Sequence, residues 1–131
     1  MRLFVVGVNS PTGKDLIEIL RKRKIRFMAP ADKHFDPDNF DLIARMVADY
    51  APDQLINLAD FISGNHSALA RAEKVEQRCY RVNARLPAAL AEICGTQQIP
   101  MLHLSNAYVF DGLKKLGYNE NDEANPKGVY G

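Results

Sequence analysis

The chain has 131 residues, 47% hydrophobic and 25% charged, with a formal net charge of +1. That balance suits one compact globular domain and lacks the strong basic bias of a nucleic-acid binder. The apolar run from Leu3 to Val8 is far too short to span a bilayer, so neither a membrane nor a nucleic acid is expected as a partner. No secretory leader, no C-x-x-C and no metal-ligand spacing is visible, so a cytoplasmic protein without a metal site is the plain reading.

Taken in chain order, Leu3-Phe4-Val5-Val6-Gly7-Val8 is a nearly continuous apolar run, the pattern of a buried parallel strand. The turn Asn9 to Gly13 leads into a helix with Leu16, Ile19 and Leu20 on one side. Its basic end, Arg21 to Lys24, offsets the exposed carbonyls of a last helical turn. A short strand is expected at Ile25 to Met28. Asp36-Pro37-Asp38-Asn39 then starts a second helix carrying Phe40, Ile43, Val47 and Tyr50 at helical intervals, which Pro52 stops. Gln54 to Ala59 is a third strand, and Asp60 to Ala70 reads as loop.

Val75, Cys79, Val82, Leu86, Leu90 and Ile93 step by three and four, marking the longest helix. Pro87 should kink it by removing a backbone donor. Cys79 and Cys94 on a continuous helix would lie about 22 Å apart, too far for a disulfide. Pro100 to Ser105 is the fourth strand. Asn106 to Gly131 is mostly loop. Strands alternating with helices predict an α/β, Rossmann-type parallel sheet with helices on both faces, in spatial order 3-2-1-4.

In such a sheet a ligand sits at the carboxyl ends of the strands, where strand order reverses. Gly7-Val8-Asn9-Ser10-Pro11-Thr12-Gly13 fits a G-x-x-G-x-x-G turn with Ser10 in the middle place. Gly7 permits the tight turn, Gly13 permits close helix–strand packing, and the helix N-terminus offers N–H groups to a pyrophosphate. Replacing Gly13 by a bulkier residue should then weaken dinucleotide binding with the fold intact. A phosphate-binding P-loop fails, because five residues rather than four separate Gly7 from Gly13-Lys14, and Asp15 follows where Ser or Thr is needed.

After the second strand, Asp32 could take a ribose hydroxyl and Lys33 a 2′-phosphate, so both NAD and NADP stay open. No G-x-S-x-G is present. His34, His66 and His103 lack metal spacing, and His103 reads as a satisfied, partly buried strand residue.

Three further segments carry a specific resemblance. Pro52-Asp53-Gln54-Leu55-Ile56-Asn57-Leu58-Ala59 resembles the P-D-x-x-I-N-x-A strand of extended short-chain dehydrogenase/reductases. Leu104-Ser105-Asn106-Ala107-Tyr108-Val109-Phe110-Asp111-Gly112 is similar to the S-T-D-Y-V-F-D-G segment of dTDP-4-dehydrorhamnose reductases. Tyr118-Asn119-Glu120-Asn121-Asp122 and Pro126-Lys127-Gly128-Val129-Tyr130-Gly131 resemble that family's Y-x-E-x-D and P-x-x-x-Y-G-x-x-K. Order and spacing agree over essentially the whole chain.

The resemblance implies an NADP- or NAD-dependent reductase of a nucleotide-linked 4-keto-6-deoxy sugar, with room for a homodimer. It implies Tyr130 as proton donor, with Asn106 and its neighbour Ser105 at the carbonyl-orienting position. It implies Gly7, Asn9, Ser10, Pro11, Thr12, Gly13, Asp32, Lys33, Leu58 and Ala59 at the cofactor, and Tyr108, Val109 and Phe110 at the substrate.

Two departures stand out. Asn106 occupies the place of a family hydroxyl, and Ser105, on the opposite side of an extended strand, needs a bulge to replace it. Ala107 replaces an aspartate. The family's lysine falls three residues past Gly131, so residues 1–131 are expected to be a Rossmann domain incomplete at its C-terminus, inactive alone and part of a longer polypeptide. Two alternatives accompany the reductase reading: a non-catalytic, dinucleotide-binding regulatory relative, and a sugar-nucleotide epimerase or dehydratase of the same superfamily.

Overall fold

The computed structural model describes residues 1–30, 35–36, 38–61 and 72–131. Strand β1 (Arg2–Val6) leads to α1 (Pro11–Lys22), β2 (Arg26–Met28), α2 (Phe40–Tyr50) and β3 (Gln54–Asn57). Then follow α3 (Glu76–Tyr80), a π-helical turn (Arg81–Arg85), α4 (Leu86–Gln97), β4 (Met101–His103) and a 3₁₀ turn (Ala107–Val109). All three strand pairings are parallel, and the four carboxyl ends share one edge. Asp32, Lys33, His34 and His66 lie outside the described residues, as does most of the expected Asp60–Ala70 loop.

Alternation along β1 explains the layers. Leu3 and Val5 point to one face, where they pack with Ile17 and Leu20 of α1. Phe4 and Val6 point to the other, where they meet Ile43 and Val47 of α2 and Leu86, Leu90 and Ile93 of α4. On α1 the buried stripe is Gly13, Ile17 and Leu20. Ile19, expected inside, is instead 46% exposed, and Phe40 on α2 is turned out similarly.

The strand order is β2-β1-β3-β4, which corrects the expected 3-2-1-4. The reason lies in the two helix faces. Successive right-handed crossovers on one face march in one direction, whereas crossovers on opposite faces reverse it. Because α1 and α2 cover opposite faces, the crossover from β2 returns past β1, and β3 pairs with β1 on its other side, Phe4 opposite Leu55 and Val6 opposite Asn57. The reversal puts a switch-point crevice between the ends of β1 and β3.

The long helix is broken where Pro87 requires it. Proline cannot donate to the carbonyl four residues back, that of Asn83, and its ring crowds it. The backbone widens instead into the π-turn, and the Leu86 N–H bonds to the Arg81 carbonyl. This turns the two halves of the helix toward different partners. Cys79 packs with Ala72 and Tyr130, whereas Leu86 to Cys94 joins the main core. Both cysteines are buried free thiols. No helix among the described residues is long and apolar enough to cross a membrane.

Candidate functional site

Gly7 has φ +83°, and a Cβ there would run into the backbone of Leu58 and Ala59. The end of β3 therefore rides directly over the end of β1, and only glycine fits between them. A Cβ on Gly13 would strike the Gly7 carbonyl and the Val8 backbone. The helix start is thus packed straight onto the turn. This changes the expected test, because a bulkier residue at Gly13 disturbs the fold as well as any ligand.

Ser10, in the motif's middle place, caps α1. Its Oγ accepts from Gly13 N at 3.0 Å and donates to the Gly7 carbonyl at 2.8 Å. Lys14 N bonds the Ser10 carbonyl at 2.9 Å. Pro11 has no N–H, so in the first turn of α1 the capping leaves Thr12 as the amide directed at an incoming anion. That is fewer free donors than the sequence suggested.

At the end of β3, Asn57 is fully buried. Its Oδ1 accepts from Ala59 N at 3.0 Å, which fixes the amide and leaves Nδ2 to donate to His103 Nδ1 at 3.1 Å. His103 is therefore satisfied, as expected, but it is exposed rather than partly buried. β4 is the edge strand of the described sheet, and its Leu102 and Leu104 are also exposed.

A cavity of about 300 Å³ opens over this edge, lined among others by Ser10, Pro11, Thr12, Leu58, Ala59, Ser105, Asn106 and Tyr130. Residues named from four separate stretches of sequence thus meet in one place. Gly7, Gly13 and exposed Asn9 stand outside the lining. Ser105 and Asn106 both face the cavity, correcting the expectation that strand alternation would separate them. β4 ends at His103, so neither residue is in a strand. Asn106 caps the 3₁₀ turn, its Oδ1 accepting from Tyr108 N at 2.8 Å, which turns its amide nitrogen into the available donor.

Tyr130 is only 7% exposed. Its ring meets Tyr108 edge-on at 5.4 Å, and its hydroxyl donates to both Asp60 carboxylate oxygens at 3.0 Å. Burial first, and then the Asp60 carboxylate, push its phenol well above the ordinary range. Sequence reasoning missed two residues here. Asp60 lies one position past the Ala59 already singled out. Asn83 sits in the π-turn, its Oδ1 accepting from Phe61 N at 2.9 Å and its Nδ2 donating to the Tyr130 carbonyl at 3.3 Å. The only signal for Asn83 was its place four residues before Pro87.

A second, more apolar hollow of about 860 Å³ lies behind Tyr130, lined by Tyr108, Phe110, Tyr118 and Lys127 among others. Tyr108 and Phe110 of the expected substrate contacts border it, whereas Val109 borders the first cavity. Tyr130 lines both. Among the described residues no group of three or more His, Cys, Asp or Glu is placed to hold a metal ion.

A parallel sheet reversing at β1, with a glycine turn under the crevice, defines a Rossmann-type nucleotide-binding fold. The family model described as the RmlD substrate binding domain matches residues 1–131, and the chain belongs to that family. The dTDP-4-dehydrorhamnose reductase of Sinorhizobium fredii is 32% identical over 100% of this chain and 42% of its own length. Two solved structures share the fold at TM-score 0.87 and 25% identity. One is a dTDP-4-dehydrorhamnose reductase from Clostridium acetobutylicum, with 99% of this chain and 45% of that one covered. The other, from Bacillus anthracis, is in complex with NADP, with 98% and 44% covered. The chain spans less than half the length of these relatives.

Proposed function

We propose that this chain is the dinucleotide-binding part of an NADPH- or NADH-dependent reductase acting on a nucleotide-linked 4-keto-6-deoxy sugar. The observation that carries the reading is the single cavity that joins the Ser10–Thr12 turn, the Leu58–Ala59 strand end, Asn106 and Tyr130. The names of the relatives and the NADP in the Bacillus anthracis structure support it.

The residues present fit a dinucleotide. The backbone space that a Cβ at Gly7 or Gly13 would fill is kept clear, and Thr12 N–H with the positive end of α1 suits a pyrophosphate. Ser10, Pro11 and Thr12 would hold the phosphates, and Leu58 and Ala59 would border the ring-bearing half. When bound, the reduced nicotinamide supplies hydride to the sugar's carbonyl carbon. The Asn106 amide would orient the carbonyl oxygen, and Tyr130 would hold the proton that this oxygen takes up. The hollow behind Tyr130, with the Tyr108 and Phe110 rings, would receive the sugar.

The test is titration with NADPH and NADH followed by single-turnover oxidation with a dTDP-4-keto-6-deoxy sugar, in the full polypeptide that carries this chain. Loss of a positioned acid costs about 10²–10⁴ in rate, so Tyr130→Phe should slow turnover by that order while dinucleotide binding persists. Dinucleotide binding without any wild-type turnover would favour a non-catalytic regulatory relative. Two observations support that second reading: Asn106 replaces a hydroxyl, and Tyr130 is already engaged by Asp60. No dinucleotide binding at all would overturn both.

A further inference from the structure

The Tyr130 hydroxyl has one proton and two lone pairs, and the direction of that proton decides what the oxygen can do for a ligand. Asp60 settles the direction. Both of its carboxylate oxygens stand 3.0 Å from the phenol oxygen, so the single O–H is aimed between them. A carboxylate only accepts, so the shared proton is the tyrosine's.

The arrangement is braced from both sides. Asn83 accepts from Phe61 N, next to Asp60 in the chain, and donates to the carbonyl of Tyr130 itself. One side chain in the π-turn therefore ties the backbone beside Asp60 to the backbone of Tyr130. The Tyr130 ring is packed among Ala72, Cys79 and Phe61, with Tyr108 against its edge. Glu73 Oε1 fixes the preceding residue by accepting from Val129 N at 2.8 Å. Among the described residues, the groups acting on the phenol electrostatically are Asp60, Cys79 and Tyr108, none of them a cation.

We propose that Asp60 is a positioning residue for Tyr130, turning the hydroxyl proton onto its own carboxylate so that the oxygen meets a cavity ligand as a hydrogen-bond acceptor. The ligand group complementary to that state is a hydroxyl, as on a reduced sugar, rather than a ketone oxygen, which needs a donor. Asp60 thereby opposes protonation of a carbonyl until the Tyr130–Asp60 bond is broken. The proposal deepens the reductase reading and rests on it for the ligand class, but the Tyr130–Asp60 polarity can be measured without any ligand.

The measurement is the Raman Fermi doublet of the tyrosine ring, whose intensity ratio distinguishes a phenol that donates from one that accepts. In the full polypeptide, the spectrum of wild type minus Tyr130→Phe isolates Tyr130 from every other tyrosine. The expected result is a strong-donor ratio in this difference. Repeating it in Asp60→Ala should abolish the donor ratio, and in Asp60→Asn should weaken it, because the amide oxygen still accepts from a neutral group. An accepting or unbonded ratio in the wild-type difference overturns the proposal, as does a donor ratio that survives Asp60→Ala. Should Asp60→Ala fail to fold, the wild-type difference and Asp60→Asn decide alone. Calorimetric titration with NADPH alongside separates the two readings. Dinucleotide binding with an accepting Tyr130 overturns the positioning role alone, and a donor Tyr130 without dinucleotide binding overturns the reductase reading alone.

Discussion

The glycine turn between β1 and α1 and the segment from Leu104 to Gly131 border the same cavity but are held in shape by different means. The turn is fixed by backbone contact. Gly7 sits under the Leu58–Ala59 peptide, Gly13 sits on the Gly7 carbonyl, and Ser10 ties the two ends together. The later segment has one 3₁₀ turn and otherwise irregular backbone. Side chains hold it. Asp111 accepts from Tyr118 Oη at 2.6 Å, Leu113 N at 2.9 Å and Asn125 Nδ2 at 2.9 Å, and Phe110 stacks on Tyr118 at 4.3 Å. Backbone packing tolerates no added atom. A solvent-exposed polar network gives way locally and reversibly, so damage to the two regions should look different.

The largest expected effect is at Gly7. A non-glycine residue at positive φ costs about 1–3 kcal/mol, and the overlap with Leu58 and Ala59 adds a comparable strain. Gly7→Ala should therefore lose roughly 2–6 kcal/mol of stability, read from the denaturant midpoint. A loss below about 1 kcal/mol would show that the β3 end can shift aside, and that the contrast between the two regions is overstated.

An intermediate effect is expected at Asn83, which joins the regions by bonding both Phe61 N and the Tyr130 carbonyl. Asn83→Ala leaves a partly buried donor and acceptor without partners, a cost of about 1–3 kcal/mol. Amide exchange should rise at Phe61 and across Val129 to Gly131, while β1 and α1 stay protected. Equal deprotection of β1 would mean that the two regions unfold as one unit.

How much of this was legible follows the same division. Periodicity located every helix and strand that positions the cavity, because burial of a regular element leaves a pattern in sequence. The order of the sheet was not legible, since it depends on which faces α1 and α2 cover, and an apolar stripe does not say which side of a sheet it will meet. Gly7 and Gly13 were found from spacing, because close approach restricts the residue type. The Tyr108 to Tyr130 region has no period, and only its resemblance to a family singled it out. Asp60 and Asn83 escaped both approaches. Their bonds to Tyr130, from Asp60 to its hydroxyl and from Asn83 to its carbonyl, span 47 or more positions, and nothing local marks such a contact.

The smallest effect on global stability, and the sharpest on one region, is expected from acid. The Tyr118 hydroxyl first, then Leu113 N and the Asn125 amide, hold the Asp111 carboxyl below its usual range. Lys114 does the same for Asp122, at 2.6 Å from its nearer carboxylate oxygen. A carboxyl with a depressed folded-state pKa contributes its stability above its ordinary value of about 3.9, and loses it as the pH falls through the lowered one. The bonds of Asp111 and Asp122 should therefore be intact at neutral pH and fail only below about pH 4. Both groups are open to solvent, so screening keeps their share of global stability small. Amide exchange at Leu113 and Asn119 should accelerate in that acid window beyond its intrinsic pH dependence, while Val5 and Leu55 in the sheet remain protected. Asp111→Ala, which removes the acceptor outright, should bring the same acceleration at Leu113 at neutral pH and flatten its acid response, with Asn119 unchanged because it answers to Asp122. If Leu113 is as protected in Asp111→Ala as in the wild type, the carboxylate network is not what shapes this segment. The packing of Phe110 on Tyr118 would then have to hold it, as backbone contact holds the turn at Gly7.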